Sequence, residues 1–278
     1  NQKGIIDKEL NDSFTKSWKV FSSNLGKMAI EFIEKNKQAS GNFNNGEILE
    51  NKPIGFPQDG GLLKPYSNLF YWAHAWTPNK KSTIDLHPHQ GFEICSFVLK
   101  GNINHFDTKQ NKWISLSEGD VQIIRAGNGI SHAEEIDEKS EIFQIWFDPD
   151  LSKTLNNDAT YNDYKSDQFQ AIEYENKIKK IIKGENSPMI MDSQGISINE
   201  YLFQPGDHSI DIKTDFIHSL FIISGSLIYE TSKIDKGTFI KLDNIPEINF
   251  KVTESAKVFE IISPKKLSYK TYSNMRQF

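Results

Sequence analysis

The chain has 278 residues, a formal net charge of −5 at pH 7 and a pI near 5.9. This length suits one large domain or two modest domains, each of which can bury its own core. The acidic balance excludes a nucleic-acid surface made by overall charge, and no apolar run approaches the roughly 18 residues of a membrane-spanning helix.

Residues 1–50 predict a helical extension ahead of the main fold. Its apolar residues recur at steps of four and three, which is the spacing of one amphipathic helix. They are Phe14, Trp18, Phe21, Leu25, Met28 and Phe32. We expect this helix to pack on the fold that follows or on a partner, and it carries no recognisable chemistry.

Cysteine use and the N-terminal sequence favour a reducing compartment. The one cysteine, Cys95, cannot form an intramolecular disulfide, and it lies in the apolar run FEICSFVL, which predicts a buried core position. The first residues lack the basic and apolar segments of a signal peptide. We therefore expect a cytoplasmic location.

Strand-like sequence begins near Gly46, and its first dense segment is LFYWAHAW, Leu69–Trp76. Apolar residues occupy both parities of this segment, which predicts a strand buried on both faces. His74 lies inside it, and we interpret His74 as a hydrogen-bonded interior histidine rather than a metal ligand.

Two short polar patterns follow: His87-Pro88-His89 and His132-Ala133-Glu134. Residues i and i+2 of a strand share a face, so each pattern directs two metal-competent groups the same way. Between the patterns lie short β-branched and aromatic runs separated by turn residues, as in antiparallel strands. In a small barrel such strands can bring the two patterns together.

Three imidazoles and one carboxylate suit a first-row transition metal, whereas calcium and magnesium prefer oxygen ligands. Glu134 and Glu135 compete for the fourth place, and alternation with His132 favours Glu134 unless a β-bulge changes the register. The alternative is a pair of polar strand faces at the open end of a barrel, with each histidine satisfied by backbone.

These residues carry a resemblance to a known family. HPHQGFEICSFVLKG followed by GDVQIIRAGNGISHAEE resembles the signature of the pirin family, and the similarity continues into FQIWFDPD. The resemblance implies an all-β fold of two tandem cupin barrels, of the double-stranded β-helix or jelly-roll type, behind the N-terminal helical segment. It also implies one metal in the first barrel, held by His87, His89, His132 and Glu134.

Two positions depart from the family pattern close to these ligands. Gln90 stands where pirins usually have arginine, and Arg125 stands where a small hydroxyl residue is usual. Glu93 is a ligand in the wider cupin pattern, but in pirins that role passes to the later glutamate. Gln90, Glu93 and Arg125 are therefore candidates for residues beside the metal or in the pocket.

The resemblance implies a function as well as a fold. The metal implied by the resemblance is iron, with manganese, nickel, zinc or copper as alternatives. Several pirins act as quercetin 2,3-dioxygenases, so the resemblance also implies a flavonol-like aromatic substrate and dioxygen. Glu134 would then deprotonate the substrate hydroxyl. A second hypothesis is a non-enzymatic, redox-sensing regulator that binds another protein, and a third is an isomerase or small-molecule binder with a closed-shell metal.

The second half of the chain repeats the first in outline. HSLFIISGSLIYE mirrors FEICSFVLKGNINHF, and KGTFIKL mirrors EGDVQII. We predict a metal-binding barrel at 51–150, a connector at 151–185 that includes the basic, solvated strand edge KIKKIIKG, and a second barrel at 186–278. The second barrel has no His-x-His or His-x-Glu pattern, so we expect it to lack the metal.

Overall fold

The computed structural model describes residues 29–276, which form 22 β-strands and two short α-helices. The first twelve strands are β1 (Ala29–Ile33), β2 (Ala39–Phe43), β3 (Ile48–Ile54), β4 (Leu69–Trp76), β5 (Ser82–His89), β6 (Glu93–Lys100), β7 (Asn102–Asp107), β8 (Trp113–Ser117), β9 (Val121–Arg125), β10 (Ile130–Ile136), β11 (Glu141–Phe147) and β12 (Thr160–Tyr164). The other ten are β13 (Gln170–Glu173), β14 (Lys177–Lys183), β15 (Ser197–Phe203), β16 (Gly206–Asp211), β17 (Phe216–Ser224), β18 (Ser226–Tyr229), β19 (Ser232–Asp235), β20 (Phe239–Asp243), β21 (Glu247–Val252) and β22 (Ala256–Pro264). The helices are α1 (Leu151–Thr154) and α2 (Tyr272–Arg276), and neither is long and apolar enough to cross a membrane.

The strands build two barrels with the same layout. The first barrel combines a seven-stranded sheet, β12-β9-β6-β11-β4-β3-β2, with a four-stranded sheet, β5-β10-β7-β8. The second combines β1-β20-β17-β22-β15-β14-β13 with β16-β21-β18-β19. The two orders correspond strand for strand, which confirms the all-β architecture of two tandem barrels.

One edge strand of each large sheet comes from outside its own barrel in sequence. β1 precedes the first barrel but pairs with β20 of the second, and β12 follows β11 and pairs with β9 of the first. Ile30 and Phe32 of β1 alternate onto the core of the second barrel. Phe32, predicted at the end of a helix, is therefore in a strand; the other five residues of the predicted helix, Phe14 to Met28, lie outside the described residues.

The predicted connector also divides between the two large sheets. It contains α1, β12, β13 and β14. KIKKIIK forms β14, a strand as predicted, but β14 is not the edge of its sheet. β13 pairs antiparallel with the outer side of β14 and is itself the edge strand.

The two large sheets pack face to face through an aromatic core. Trp72 of β4 contacts Phe239 and Phe259 of the second barrel, with ring centroids 5.1 and 5.7 Å away. Cys95 lies fully buried in this core, as predicted. β4 is buried on both faces, also as predicted, because Trp72 points to the second barrel and Ala73 to the first.

Candidate metal centre

Strands β5 and β10 are neighbours in the small sheet of the first barrel, and their register brings the three predicted histidines together. His132 lies opposite His87, and Ile130 lies opposite His89. Pro88, between the two β5 histidines, is exposed, so both imidazoles fall on the inner face. The three rings lie with centroids 4.5 to 4.8 Å apart.

The nitrogen geometry fits one metal ion. One ligand nitrogen from each of the three histidines lies within 4.8 Å of the others, and the Nε2 atoms of His89 and His132 are 3.0 Å apart. Two nitrogens bound at about 2.1 Å in adjacent octahedral positions would be separated by about 3 Å. Among the described residues, no other group of three or more potential ligands comes together in this way.

The surroundings hold these imidazoles in the form that binds a metal. Burial, followed by the nearby His132 and His87, lowers the pKa of His89 to about 3. Burial, followed by His87 and His105, likewise lowers the pKa of His132 to about 3. His87 donates from Nδ1 to the Asp85 carbonyl at 2.7 Å, which leaves its Nε2 available. Metal binding needs neutral imidazole, and a backbone acceptor on the far nitrogen is a common way to orient it.

Glu134, not Glu135, points into the barrel. The register of β10 against β5 shifts between His132 and Glu134, but its register against β7 runs without interruption. The irregularity therefore does not turn Glu134 to the outer face, and Glu134 is fully buried. Glu135 pairs with Lys81 on the outer side at 3.0 Å, and that contact lowers the pKa of the Glu135 carboxyl.

The Glu134 carboxylate reaches across the barrel to the large sheet. Ser96 and Gln122 donate to Oε1 at 2.6 and 3.0 Å, and Gln144 donates to Oε2. Outer donors orient both amides, because Tyr161 donates to Gln122 Oε1 at 3.2 Å and Trp146 donates to Gln144 Oε1 at 3.1 Å. Each amide therefore presents its NH₂ group to the carboxylate. Glu134 is not within the 4.8 Å group formed by the three histidines.

A second buried histidine lies beside the centre and is absent from the predicted site. His105 of β7 bonds Asp107 through Nε2 at 2.6 Å, stacks on Tyr161 with centroids 4.6 Å apart, and lies 5.8 Å from the His132 ring. The sequence indicated part of this arrangement, because His105 and Asp107 are residues i and i+2 of one strand and share a face. Gln122 and Gln144 were detectable only as single polar residues inside apolar strands.

The three candidate pocket residues occupy different places. Gln90 is exposed at the rim, where its amide is 3.4 Å from the Asn128 carbonyl. Glu93 and Arg125 lie on the opposite face of the large sheet, away from the histidines. Glu93 accepts backbone N–H groups of Asp192 and Ser193 at 2.6 and 2.8 Å, so it holds the chain that leads into the second barrel.

Arg125 also binds the segment that leads into the second barrel. Its guanidinium donates to Asn162 at 2.9 Å and to the Ile190 carbonyl at 2.8 Å, and its Nε lies 3.9 Å from Glu93. His74 was predicted to be a hydrogen-bonded interior histidine. Its Nε2 lies 3.1 Å from the Glu141 carboxylate, at the junction of the two barrels.

An aromatic wall adjoins the histidines. Trp146 packs edge-on against His89 with centroids 4.9 Å apart, and Phe92 lies 5.6 Å from Trp146. The wall continues through Phe56, Phe70, Tyr71 and Tyr272. A groove of about 810 Å³ runs from Gln90, Gly91 and Phe92 to α1 and α2.

The chain is similar to known proteins mainly through this barrel. Residues 62–147 match the family model described as pirin. A pirin-like protein of Caulobacter vibrioides is 46% identical over 65 residues, which are 23% of this chain and 28% of that protein. A quercetin 2,3-dioxygenase of Escherichia coli K12 is 39% identical over 67 residues, 23% of this chain and 29% of the relative. Each of these matches spans less than a third of the relative's length.

The fold likeness extends over most of the chain. The crystal structure of the bacterial pirin YhhW from Escherichia coli, in complex with nickel(II), superposes with a TM-score of 0.70 at 16% identity. The match covers 86% of this chain and 100% of that structure. At this identity the likeness shows the shared two-barrel fold.

Proposed function

Because the chain carries a pirin-family cupin domain, we propose that it is an iron-dependent dioxygenase that acts on small flavonol-like aromatic substrates. The observation that carries this proposal is the convergence of His87, His89 and His132, with two Nε2 atoms 3.0 Å apart. The relative named quercetin 2,3-dioxygenase supports the reaction type.

The three imidazoles would hold the iron and leave other coordination positions open. When bound, the iron supplies the one-electron chemistry that reaction with dioxygen requires. His87 is oriented by the Asp85 carbonyl, and His89 is held against Trp146. These contacts keep the donor nitrogens in place before a metal arrives.

We assign Glu134 the role of accepting the proton of a substrate hydroxyl. Its carboxylate is buried, and three fixed donors from Ser96, Gln122 and Gln144 hold it in one orientation. Glu134 as a fourth metal ligand is the competing role. Glu134→Gln separates them, because loss of a base lowers turnover with the metal retained, whereas loss of a ligand lowers the metal content as well.

The aromatic wall would supply the surface for a flat substrate. The groove beside Phe92 is of the size that encloses a drug-sized ligand, for which volumes of about 300 to 1,000 Å³ are usual. Stacked and edge-on aromatic contacts favour planar ring systems. Gln90, at the groove's start, can donate or accept a hydrogen bond at the substrate edge.

Oxygen uptake with quercetin tests the proposal. Protein reconstituted anaerobically with ferrous iron is compared with His89→Ala and with His208→Gln, a matched histidine change in the second barrel. We expect uptake in the wild type and in His208→Gln, and none in His89→Ala. Absence of uptake in the wild type with iron shown to be bound would contradict the dioxygenase and favour the protein-binding regulator.

A further inference from the structure

We infer that the second barrel binds a small oxyanion with two or more negative charges, of the phosphate or polycarboxylate class, in a cavity separate from the metal centre. The cavity measures about 520 Å³ and opens between β14, β15 and β16. Buried His218 and Glu260 contribute to its lining, together with the lysines of β14. The proposed dioxygenase activity uses none of these residues.

The floor of the cavity is a saturated hydrogen-bond network. His218 Nδ1 donates to Glu260 Oε1 at 2.7 Å, and Asn199 and Tyr201 donate to Oε2 at 2.9 and 3.0 Å. His218 Nε2 accepts the Lys213 backbone N–H at 3.1 Å, so the proton of the neutral imidazole is on Nδ1. Burial acts to raise the pKa of Glu260, but the His218 contact and the other donors outweigh it and the pKa is lowered.

The walls carry lysines that have no counter-ion. Lys177, Lys179 and Lys183 alternate onto the cavity side of β14, and all three are half-buried. Within the described part of the chain, none of them has a carboxylate within ion-pair distance, nor does Lys213. The Lys179 ammonium lies 5.8 Å from the centre of the Tyr201 ring, which places it above the floor network.

The other polar groups of the lining do not neutralise this charge. The carboxylates of Glu185 and Asp211 are at the exposed rim and make no ion pair with the lysines. The buried Glu260 carboxylate already accepts from His218, Asn199 and Tyr201. The four lysines outnumber these three carboxylates, so the lining keeps an excess of positive charge. The side chains of Ser197 and Ser209 line the cavity and form no hydrogen bond within residues 29–276. They are further donors for an oxyanion.

In the first barrel, the lysine on β3, the strand that corresponds to β14, is neutralised. Glu50 of β3 lies opposite Ala75 of β4, and Lys179 of β14 lies opposite Tyr201 of β15, the corresponding strand. In the first barrel Lys52 is neutralised by Glu50 at 3.2 Å and by Asp59 at 2.9 Å. Within residues 29–276, no carboxylate lies within ion-pair distance of Lys179. Removing an unpaired ammonium from water costs free energy that a bound anion would offset.

The spacing of the lysines favours a multiply charged ligand. Successive inward residues of a strand are about 7 Å apart, so Lys177 and Lys179 can contact two charged oxygens of one small molecule on their flexible stems. A single carboxylate would leave most of the ammonium groups unpaired. The shared chemistry is therefore an oxyanion of at least two charges, and the experiment separates its two sources.

Titration calorimetry on the full chain carrying His89→Ala, which removes the metal centre as a competing site, tests the inference. Inorganic phosphate and citrate are each titrated at one ionic strength, with sodium chloride as the blank. We expect one anion per chain, at least tenfold weaker binding in Lys179→Gln, and less than a twofold change in Lys251→Gln, which alters an exposed lysine of β21. Thermal unfolding without anion checks that Lys179→Gln is folded.

The two anions and the two lysine variants separate the possible outcomes. Phosphate binding that depends on Lys179 assigns the phosphate class, and citrate binding that depends on Lys179 assigns the polycarboxylate class. Binding of neither anion above the chloride blank overturns the inference. Equal weakening in Lys179→Gln and Lys251→Gln also overturns it, because the effect would then be that of overall charge.

Discussion

The two barrels share a strand order but place different chemistry at their centres. In the first, the small sheet carries three histidines and Glu134, and the large sheet opposite provides a hydroxyl and two amides. In the second, the large sheet carries the His218–Glu260 network. The inner face of the second small sheet carries Ile210, Ile248 and Phe250, which lie in the core, and one histidine, His208.

The difference lies in the small sheets, because among the described residues only the first small sheet brings three histidines together. In the second barrel the corresponding strands β16 and β21 place His208 opposite Phe250 and Ile210 opposite Ile248. His208 there bonds the Gln204 carbonyl at 2.7 Å and stacks near Phe250. A single histidine against an aromatic ring offers one nitrogen, which is too few to hold an ion in place.

The strongest test of the comparison is metal content. We expect His132→Ala to weaken metal binding more than about 100-fold, because losing a ligand should exceed the 10 to 100-fold cost of losing a group that merely orients one. His208→Ala in the second barrel and His105→Ala beside the centre should retain the metal. Elemental analysis after reconstitution and desalting measures this, and equal content in all three variants would contradict the assignment.

In the second barrel, loss of the central carboxylate should lower the stability of the fold. Glu260→Ala leaves three buried donors unpaired, those of His218, Asn199 and Tyr201. At about 1 to 3 kcal/mol for each unsatisfied group, we expect a loss of at least about 3 kcal/mol in the free energy of unfolding. Urea unfolding measures the loss. Glu260→Gln, which keeps one acceptor oxygen, should lose less, and an equal loss in both variants would argue against the hydrogen-bond explanation.

Lysines on the corresponding strands β3 and β14 should differ between the barrels. Lys52→Met leaves the buried Glu50 carboxylate and the half-buried Asp59 carboxylate without their cation, so we expect a loss of about 3 kcal/mol in the free energy of unfolding. Lys179→Met leaves no carboxylate unpaired and should change the free energy of unfolding by less than about 1 kcal/mol. Chemical denaturation of both variants in anion-free buffer makes the comparison. A larger loss in Lys179→Met would mean that its ammonium has a protein partner.

A gain in stability is expected where the C-terminal segment packs back on the first barrel. Burial raises the pKa of Asp148 to about 6, although backbone N–H groups of Tyr272 and Ser273 act to lower it. Because the folded-state pKa lies above the ordinary value of 3.8, ionisation of Asp148 opposes folding, and this penalty is absent below pH 3.8 and complete above about pH 6.

Asp148→Asn should therefore stabilise the protein by at most roughly 2 to 3 kcal/mol at pH 7 and by almost nothing at pH 3.5. Thermal unfolding of both proteins across this range gives the profile. A gain that is independent of pH would show that charge is not its cause.

Much of the fold could be predicted from the sequence because it depends on local patterns. Strand alternation identifies the inner faces of β5, β6 and β10, and the repeated runs around Gly101 and Gly225 predict a second barrel. Both glycines have φ of 73°, a left-handed conformation that favours glycine at the same turn of each barrel. The pairing of His-x-His with His-x-Glu followed from the same periodicity.

The sequence by itself determined the strands, the duplication and the common face of the residues within each ligand pattern, since each depends on which face a residue occupies. The pairing of β5 with β10 brought the histidines together, and the register of β10 against β7 decided for Glu134 over Glu135. Only the tertiary structure decided the exchange of β1 and β12 between the large sheets, the amides that hold Glu134 and the approach of His105 to His132. It also decided that the lysines of β14 line a cavity. These contacts join residues far apart in the chain, and the periodicity of one strand gives the direction of a side chain without identifying what lies opposite.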